Sequence, residues 1–170
     1  MEGFEKYGNK KRVMVVVDHT SQSKHAMMWA LTHVANNGDF LTLLHVVSHS
    51  NKLLSETPSH SSSSSFLANS LGYLCKASRP EVEVEALVIQ GPKLETILSQ
   101  VKKLEASVLV VPQKKPSLFG CFCGNSSSEQ LVEQCISHAD CCTIGVRKQI
   151  NGMGGYLINT RWQKNFWLLA

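Results

Sequence analysis

Apolar residues along this chain follow two alternating rhythms: short continuous runs, and stretches with helical spacing. The first run, residues 12–18 (RVMVVVD), is rich in valine and ends in an acid, the pattern of a strand buried on both faces. Thr20 or Ser21 can then cap a helix whose apolar positions Met27, Ala30, Leu31 and Val34 recur every three or four residues. Asn36-Asn37-Gly38 stops that helix, because Asn and Gly tolerate left-handed backbone at a helix end. A second strand is predicted over residues 40–47 (FLTLLHVV). Residues 48–65 are polar and close on a serine run, Ser61 to Ser65; so little apolar surface does not offset the ordering entropy, and a mobile loop is expected. A helix resumes over 66–77, using Leu67, Leu71, Leu74 and Cys75.

Residues 82–89 (VEVEALVI) alternate apolar and acidic positions, which suits a strand near a sheet edge. Gly91-Pro92 opens a helix, with Pro in the first turn where its missing amide is harmless, and Leu94, Ile97, Leu98, Val101 and Leu104 form its buried stripe. Residues 107–111 (SVLVV) read as a buried strand, 112–125 as a loop, 129–137 as a serine-capped helix and 142–146 as a last strand. Five strands alternating with four helices predict an α/β fold: a Rossmann-like, doubly wound, five-stranded parallel sheet with helices on both faces. Its ligand site is expected outside the carboxyl ends of the strands, where strand order reverses. The organisation is an N-terminal extension (1–11), one domain (12–148), and a linker with an aromatic tail (149–170).

Composition narrows the function classes. With 43% hydrophobic and 18% charged residues in 170, this is an ordinary globular domain. The net charge of +4 is diffuse; Lys10-Lys11-Arg12, Lys102-Lys103 and Lys114-Lys115 are not interleaved with aromatics, so no nucleic-acid partner is expected. Glu2, Glu5 and Lys6 precede any apolar stretch, and Val13 to Val17 is far too short to cross a bilayer. The expectation is a cytoplasmic or nuclear protein without a transmembrane segment, its six cysteines reduced. Cys121-x-Cys123 and Cys141-Cys142 lack zinc or thioredoxin spacing, so no metal is expected, and Cys135 and Cys142 read as small core residues. The seven histidines form no H-E-x-x-H pair, and His45, inside a strand, reads as a satisfied core residue. Neither a G-x-S-x-G elbow nor a G-x-x-x-x-G-K-[ST] loop occurs. No catalytic residue is assigned, and an enzyme is not expected.

Asp18-His19-Thr20-Ser21 follows the first strand. An acid there can accept from an adenine amino group or a ribose hydroxyl, or can simply cap the turn into the helix. The ordered set VMVVVDHTSQSKHAMMWAL, LTLLHVV, QGPKLETIL, EASVLVVP and SSSEQLVEQCISHADCCTIGV, over about residues 12–147, resembles the universal stress protein family, notably its short plant members. That family belongs to the adenine nucleotide alpha hydrolase-like superfamily. The resemblance implies a regulatory or binding module in stress response or signalling, with a signalling protein as partner. It also implies a homodimer paired through the last strand, at Thr143, Ile144 and Val146, and ATP or AMP as ligand.

Nucleotide-binding members carry a Gly, two residues, a Gly, roughly nine residues, then Gly-Ser or Gly-Thr opening the last helix. Such glycines let backbone amides approach phosphates, and the helix N-terminus adds amides and a favourable dipole. Here those positions fall on Pro112, Lys115 and Asn125, followed by Ser126 and Ser127. The resemblance thus marks Asp18, His19, Thr20, Val46, Pro112, Lys115, Asn125, Ser126 and Ser127 as nucleotide contacts, with every signature glycine replaced. Pro112 has no amide to donate. Charge-assisted hydrogen bonds contribute about 1.5–3 kcal/mol each, so losing two weakens binding about a hundredfold or more. The expectation is a degenerate pocket that requires no cofactor and holds ATP or AMP weakly. The alternatives are a functional ATP-binding member, with Asp18, Val46, Lys115, Ser126 and Ser127 lining the site, and a nucleotide hydrolase.

Beyond the family-like region, residues 151–155 (NGMGG) form a flexible linker. Trp162, Phe166 and Leu169 then recur at helical spacing and predict a short amphipathic helix. Trp162, Phe166 and Trp167 left in water would make an adhesive patch, so the tail is expected to dock on its own domain or on a second copy. A tail lying over the last strand is the alternative to pairing that strand with its twin.

Overall fold

The computed structural model of the chain describes residues 10–48, 59–114, 127–149 and 154–168. In chain order the elements are β1 (Arg12–Val16), α1 (Ser21–His33), β2 (Phe40–Val47), α2 (Ser59–Ser78), β3 (Glu83–Gln90), α3 (Lys93–Lys103), β4 (Val108–Pro112), α4 (Ser127–His138), β5 (Cys142–Lys148), β6 (Tyr156–Asn159) and β7 (Phe166–Leu168). They build one sheet in the order β3-β2-β1-β4-β5-β6-β7. β1 to β5 pair in parallel, while β6 and β7 are antiparallel additions.

Strand β1 is central because its side chains serve both faces. Successive strand residues point to opposite sides. Val13, Val15 and Val17 accordingly join Met27 and Leu31 of α1 and Leu71 and Cys75 of α2. Met14 and Val16 join Ile97 and Val101 of α3 and Val132 and Cys135 of α4 on the other side. The doubly wound arrangement follows, with the switch point between β1 and β4. β3 forms one edge of the sheet, as its acidic alternation suggests, and its charges discourage further pairing: Glu83 binds Lys10 at 2.8 Å and Glu85 binds Arg12.

Seven strands replace the five expected, because the tail is a β-hairpin and not a helix. An isolated helix of about ten residues is marginal in water. β5, by contrast, presents a ready row of backbone donors and acceptors. β6 takes that row in the register Gly145↔Asn159, Val146↔Ile158, Arg147↔Leu157 and Lys148↔Tyr156, and β7 then pairs with β6. The β5 edge expected to meet a twin is thereby filled by the same chain at Val146. Thr143 and Ile144 lie just before the paired stretch.

The tail docks by its backbone and by Leu157 and Ile158, which are buried, rather than by its aromatics. Trp162 is 83% exposed and so is not anchored on its own domain, while Trp167 (51%) and Phe166 (47%) are about half covered, with Trp167 Nε1 donating to the Gly154 carbonyl at 3.3 Å. Tyr156 meets His33 of α1 edge-on, and His33 in turn stacks on Trp29.

Two further readings change. α2 begins at Ser59, so residues 59–65 are helical where a loop was expected; residues 49–58 lie outside the described set. Serine is only a middling helix former, but the apolar residues Ala68, Leu71 and Cys75 hold the helix to the sheet. Cys142 is exposed at the start of β5, whereas Cys75 and Cys135 are buried, and burial pushes their thiols up to about 12 and about 11. Cys121 and Cys123 lie outside the described residues.

If the hairpin is held by Leu157 and Ile158, Ile158→Ala should destabilise the protein by about 2–4 kcal/mol, and Trp162→Ala by less than about 0.5 kcal/mol. Urea unfolding of the two variants checks this contrast; a larger loss for Trp162→Ala would contradict it.

Candidate functional site

The carboxyl ends of β1, β2 and β4 come level with one another. Val16 stands opposite Leu44, and Val15 opposite Val110, so Asp18, Val46 and Pro112 each fall at the same rim of the sheet. Immediately after β1 the chain locks itself with side chains. Asp18 Oδ1 accepts from the Thr20 amide at 2.8 Å and from the Thr20 hydroxyl at 2.5 Å. The Asp18 amide donates to Ser23 Oγ at 2.8 Å, and Thr20 Oγ1 caps α1 by accepting from the Ser23 amide at 3.3 Å.

Burial works against the ionised Asp18 carboxyl. The hydroxyl and amide of Thr20, followed by the Lys93 and Lys114 charges, outweigh it and hold Asp18 below its usual range. Lys93 opens α3 after Gly91-Pro92, a turn in which a Cβ on Gly91 would stand 2.7 Å from Thr96 Oγ1. Lys114 follows β4. The rim therefore holds one ionised carboxylate and two ammonium groups. Asp18 Oδ2 accepts no hydrogen bond among the described residues.

Beside this acid, His45 of β2 is buried, and its Nδ1 donates to the Val17 carbonyl at 2.8 Å, which makes it the satisfied core residue expected. His19 meets the His45 ring edge-on at 5.6 Å. Val46 is buried next to it.

At the end of β4, Pro112 pairs with Val146 and offers no amide. The next amide, Gln113, donates to the Val146 carbonyl at 2.8 Å and so is committed to β5. Its side chain is held by the tail: Asn159 Nδ2 donates to Gln113 Oε1, and Asn159 Oδ1 accepts from the Asn165 amide at 2.5 Å. Lys115, Asn125 and Ser126 lie outside the described residues, and of Ser127 only its place at the start of α4 is described. Asp18, His19, Thr20, Val46 and Pro112 are thus gathered at one rim. Lys93 was not among the sequence candidates, although its position directly after Gly91-Pro92, at the carboxyl end of a strand, is a readable signal. Asn159 was missed because nothing in its neighbourhood announces a strand against β5.

The sequence pattern of the universal stress protein family matches residues 10–141. The chain belongs to that family. No match was found among curated proteins. Among solved structures it is similar to a universal stress protein family protein of Burkholderia pseudomallei, at 14% identity and a TM-score of 0.60, covering 81% of this chain and 96% of that one. It is also similar to a universal stress protein family protein of Arabidopsis thaliana with AMP bound, at 19% identity and a TM-score of 0.55, covering 84% and 95%. A third relative is a universal stress protein in complex with cAMP, at 13% identity and a TM-score of 0.60, covering 81% and 97%. At these identities the likeness is one of fold. It confirms the Rossmann-like α/β architecture and leaves the chemistry of the rim to this chain's own residues.

Because the folded Asp18 carboxyl is held below its unfolded value, its contribution to stability is present above the unfolded pKa of about 3.9 and is lost as pH falls through the folded value. Asp18→Asn should flatten the fall in stability across that acid window. Thr20→Ala should cost about 1–2 kcal/mol at neutral pH, through loss of the helix cap. Urea midpoints measured at a series of pH values test both, and an unchanged acid limb in Asp18→Asn would refute the assignment.

Proposed function

We propose that this universal stress protein is a regulatory or binding module of stress response or signalling, not an enzyme, whose nucleotide pocket is degenerate. The observation that carries the reading is the end of β4. Where nucleotide-binding members would turn free amides toward a phosphate, this chain has Pro112, which has none, and Gln113, whose amide is spent on Val146. Each missing charge-assisted bond removes about 1.5–3 kcal/mol, so ATP or AMP binds weakly and no cofactor is required. Function then rests on protein contacts, with a signalling protein as partner and no nucleic acid. A homodimer of this chain uses a surface other than the β5 edge filled by β6. No helix among the described residues is long and apolar enough to cross a membrane, and the proposed location is cytoplasm or nucleus.

One observation favours the second reading, adenine-nucleotide binding. Lys93 and Lys114 both act on Asp18, so a ligand seated at the rim would meet a carboxylate and two ammonium groups together. The solved relatives with AMP and cAMP occupy the same fold, which makes the rim the place to look.

The two readings separate by thermal melting of the full chain with ATP or AMP at millimolar concentration. A ligand at about 100 times its dissociation constant stabilises by about 2.7 kcal/mol. The expected shift here is near zero, and native mass spectrometry of fresh protein should show no co-purified nucleotide. A saturable shift abolished by Asp18→Ala would establish the second reading instead, and phosphate release on incubation with ATP would reveal a hydrolase.

A further inference from the structure

The hairpin does more than close an edge. Between α4, the end of β5 and the β6–β7 turn lies a cavity of about 430 Å³, within the range of about 300–1,000 Å³ typical of small-molecule pockets. Its wall includes Gln113, Arg147, Asn159, Thr160, Arg161 and Lys164, opposite the α4 residues Glu129 to Ser137. None of the rim residues Asp18, His19, Thr20, Val46 or Pro112 takes part. Much of the wall lies beyond the family-matched residues 10–141.

The cavity follows from the sheet's parity. Val146 faces the α1 side, so Gly145 and Arg147 face α4. A Cβ on Gly145 would stand 2.6 Å from Val132 Cγ1 and 3.5 Å from Asn159 Cβ, so its absence lets the helix and the hairpin approach. Arg161 Nη2 then reaches the carbonyls of Ile136 and Ser137 at 3.5 and 3.2 Å, at the negative end of α4, while Lys164 pairs with Glu133 at 3.1 Å. These contacts brace the hairpin against the helix and define the cavity's width.

Donors dominate what is left unspent inside. Arg147 is half-buried and has neither an ion pair nor a side-chain hydrogen bond among the described residues. A guanidinium offers five donors and no acceptor, and it does not give up its charge. Gln113 uses its carbonyl on Asn159, which leaves its amino group as a donor. Thr160 Oγ1 accepts from the Gln163 amide at 3.2 Å, which leaves its hydroxyl proton. Glu133 is neutralised by Lys164, and Glu129 sits in the first turn of α4, where the helix favours an acid.

We infer that this cavity is a binding site for a small polar organic anion, a carboxylate or phosphate ester, whose charged group pairs with Arg147. Arg147 supplies the charge and the fork geometry, and Gln113 and Thr160 supply further donors. Because Gln113 and Asn159 join the cavity to the end of β4, occupancy there would stiffen the tie between the hairpin and the site rim.

The test uses the full chain, titrated calorimetrically with sodium phosphate and with sodium citrate at constant ionic strength, and with glucose as a neutral control. At least one anion should bind saturably and glucose should not; whichever anion binds identifies the phosphate or the carboxylate class. Arg147→Gln should weaken that binding at least about tenfold, while Lys114→Gln, at the other site, should leave it unchanged. Should Arg147→Gln fold poorly, the Nε resonance of Arg147 in the unmutated protein reads the same event, and the anion should shift it. Failure of both anions to bind would overturn the inference, as would binding lost in Lys114→Gln but kept in Arg147→Gln.

Discussion

Along one side of β5, from Gly145 to Lys148, a row of backbone donors and acceptors has to be paired with something, and this chain pairs it with itself. Unpaired backbone groups beside an apolar core are costly, and an open edge invites association with any other strand. The hairpin of β6 and β7 meets that requirement with no second molecule. Leu157 and Ile158 bury against the sheet as it does so, and Tyr156 closes on His33. Closing the edge in this way also moves the exposed rim of the sheet outward to β7, whose Phe166 and Trp167 remain half in water.

The same closure reaches into the site. Asn159, brought opposite Gly145 by the register of β6, holds the side chain of Gln113, while the Gln113 main chain is tied to Val146. The segment that leaves β4 is therefore drawn toward the hairpin at the point where a phosphate-binding loop would begin. On the other side of the switch point, Asp18 is occupied with Thr20 and with the cap of α1. Lys93 and Lys114 keep the rim attractive to anions all the same. Gln113 consequently stands where the rim and the cavity beneath the hairpin meet.

How much of this could be read from the residues depends on the kind of signal. Valine runs such as Val13 to Val17 and the helical spacing of Ile97 and Val101 report burial directly, so the parallel core, its helices and the edge position of β3 were legible. Asp18 and Pro112 were legible because each sits one or two residues beyond such a run. The hairpin was not. Trp162 and Phe166 have helical spacing, but that spacing carries no force when the neighbouring strand offers unsatisfied backbone, and pairing along a strand edge leaves almost no mark on side-chain pattern. Gln113, Arg147 and Asn159 belong to separate stretches of the chain and meet only through the β4–β5–β6 register, so no local motif could have announced their cavity. Ser61 to Ser65 misled in the opposite direction, since polar composition alone does not prevent a helix anchored by Leu71 and Cys75.

Amide hydrogen exchange, resolved by residue and repeated over a range of protein concentrations, tests the closure of β5 most directly. Amides of residues 145–148 and 156–159 that are hydrogen-bonded within the β5–β6 ladder should exchange slowly, and their protection should be independent of protein concentration, because the partner strand is part of the same chain. Rapid exchange in β6, or protection in residues 145–148 that grows with concentration, would mean that the edge is open or is filled by another molecule, and would contradict the account.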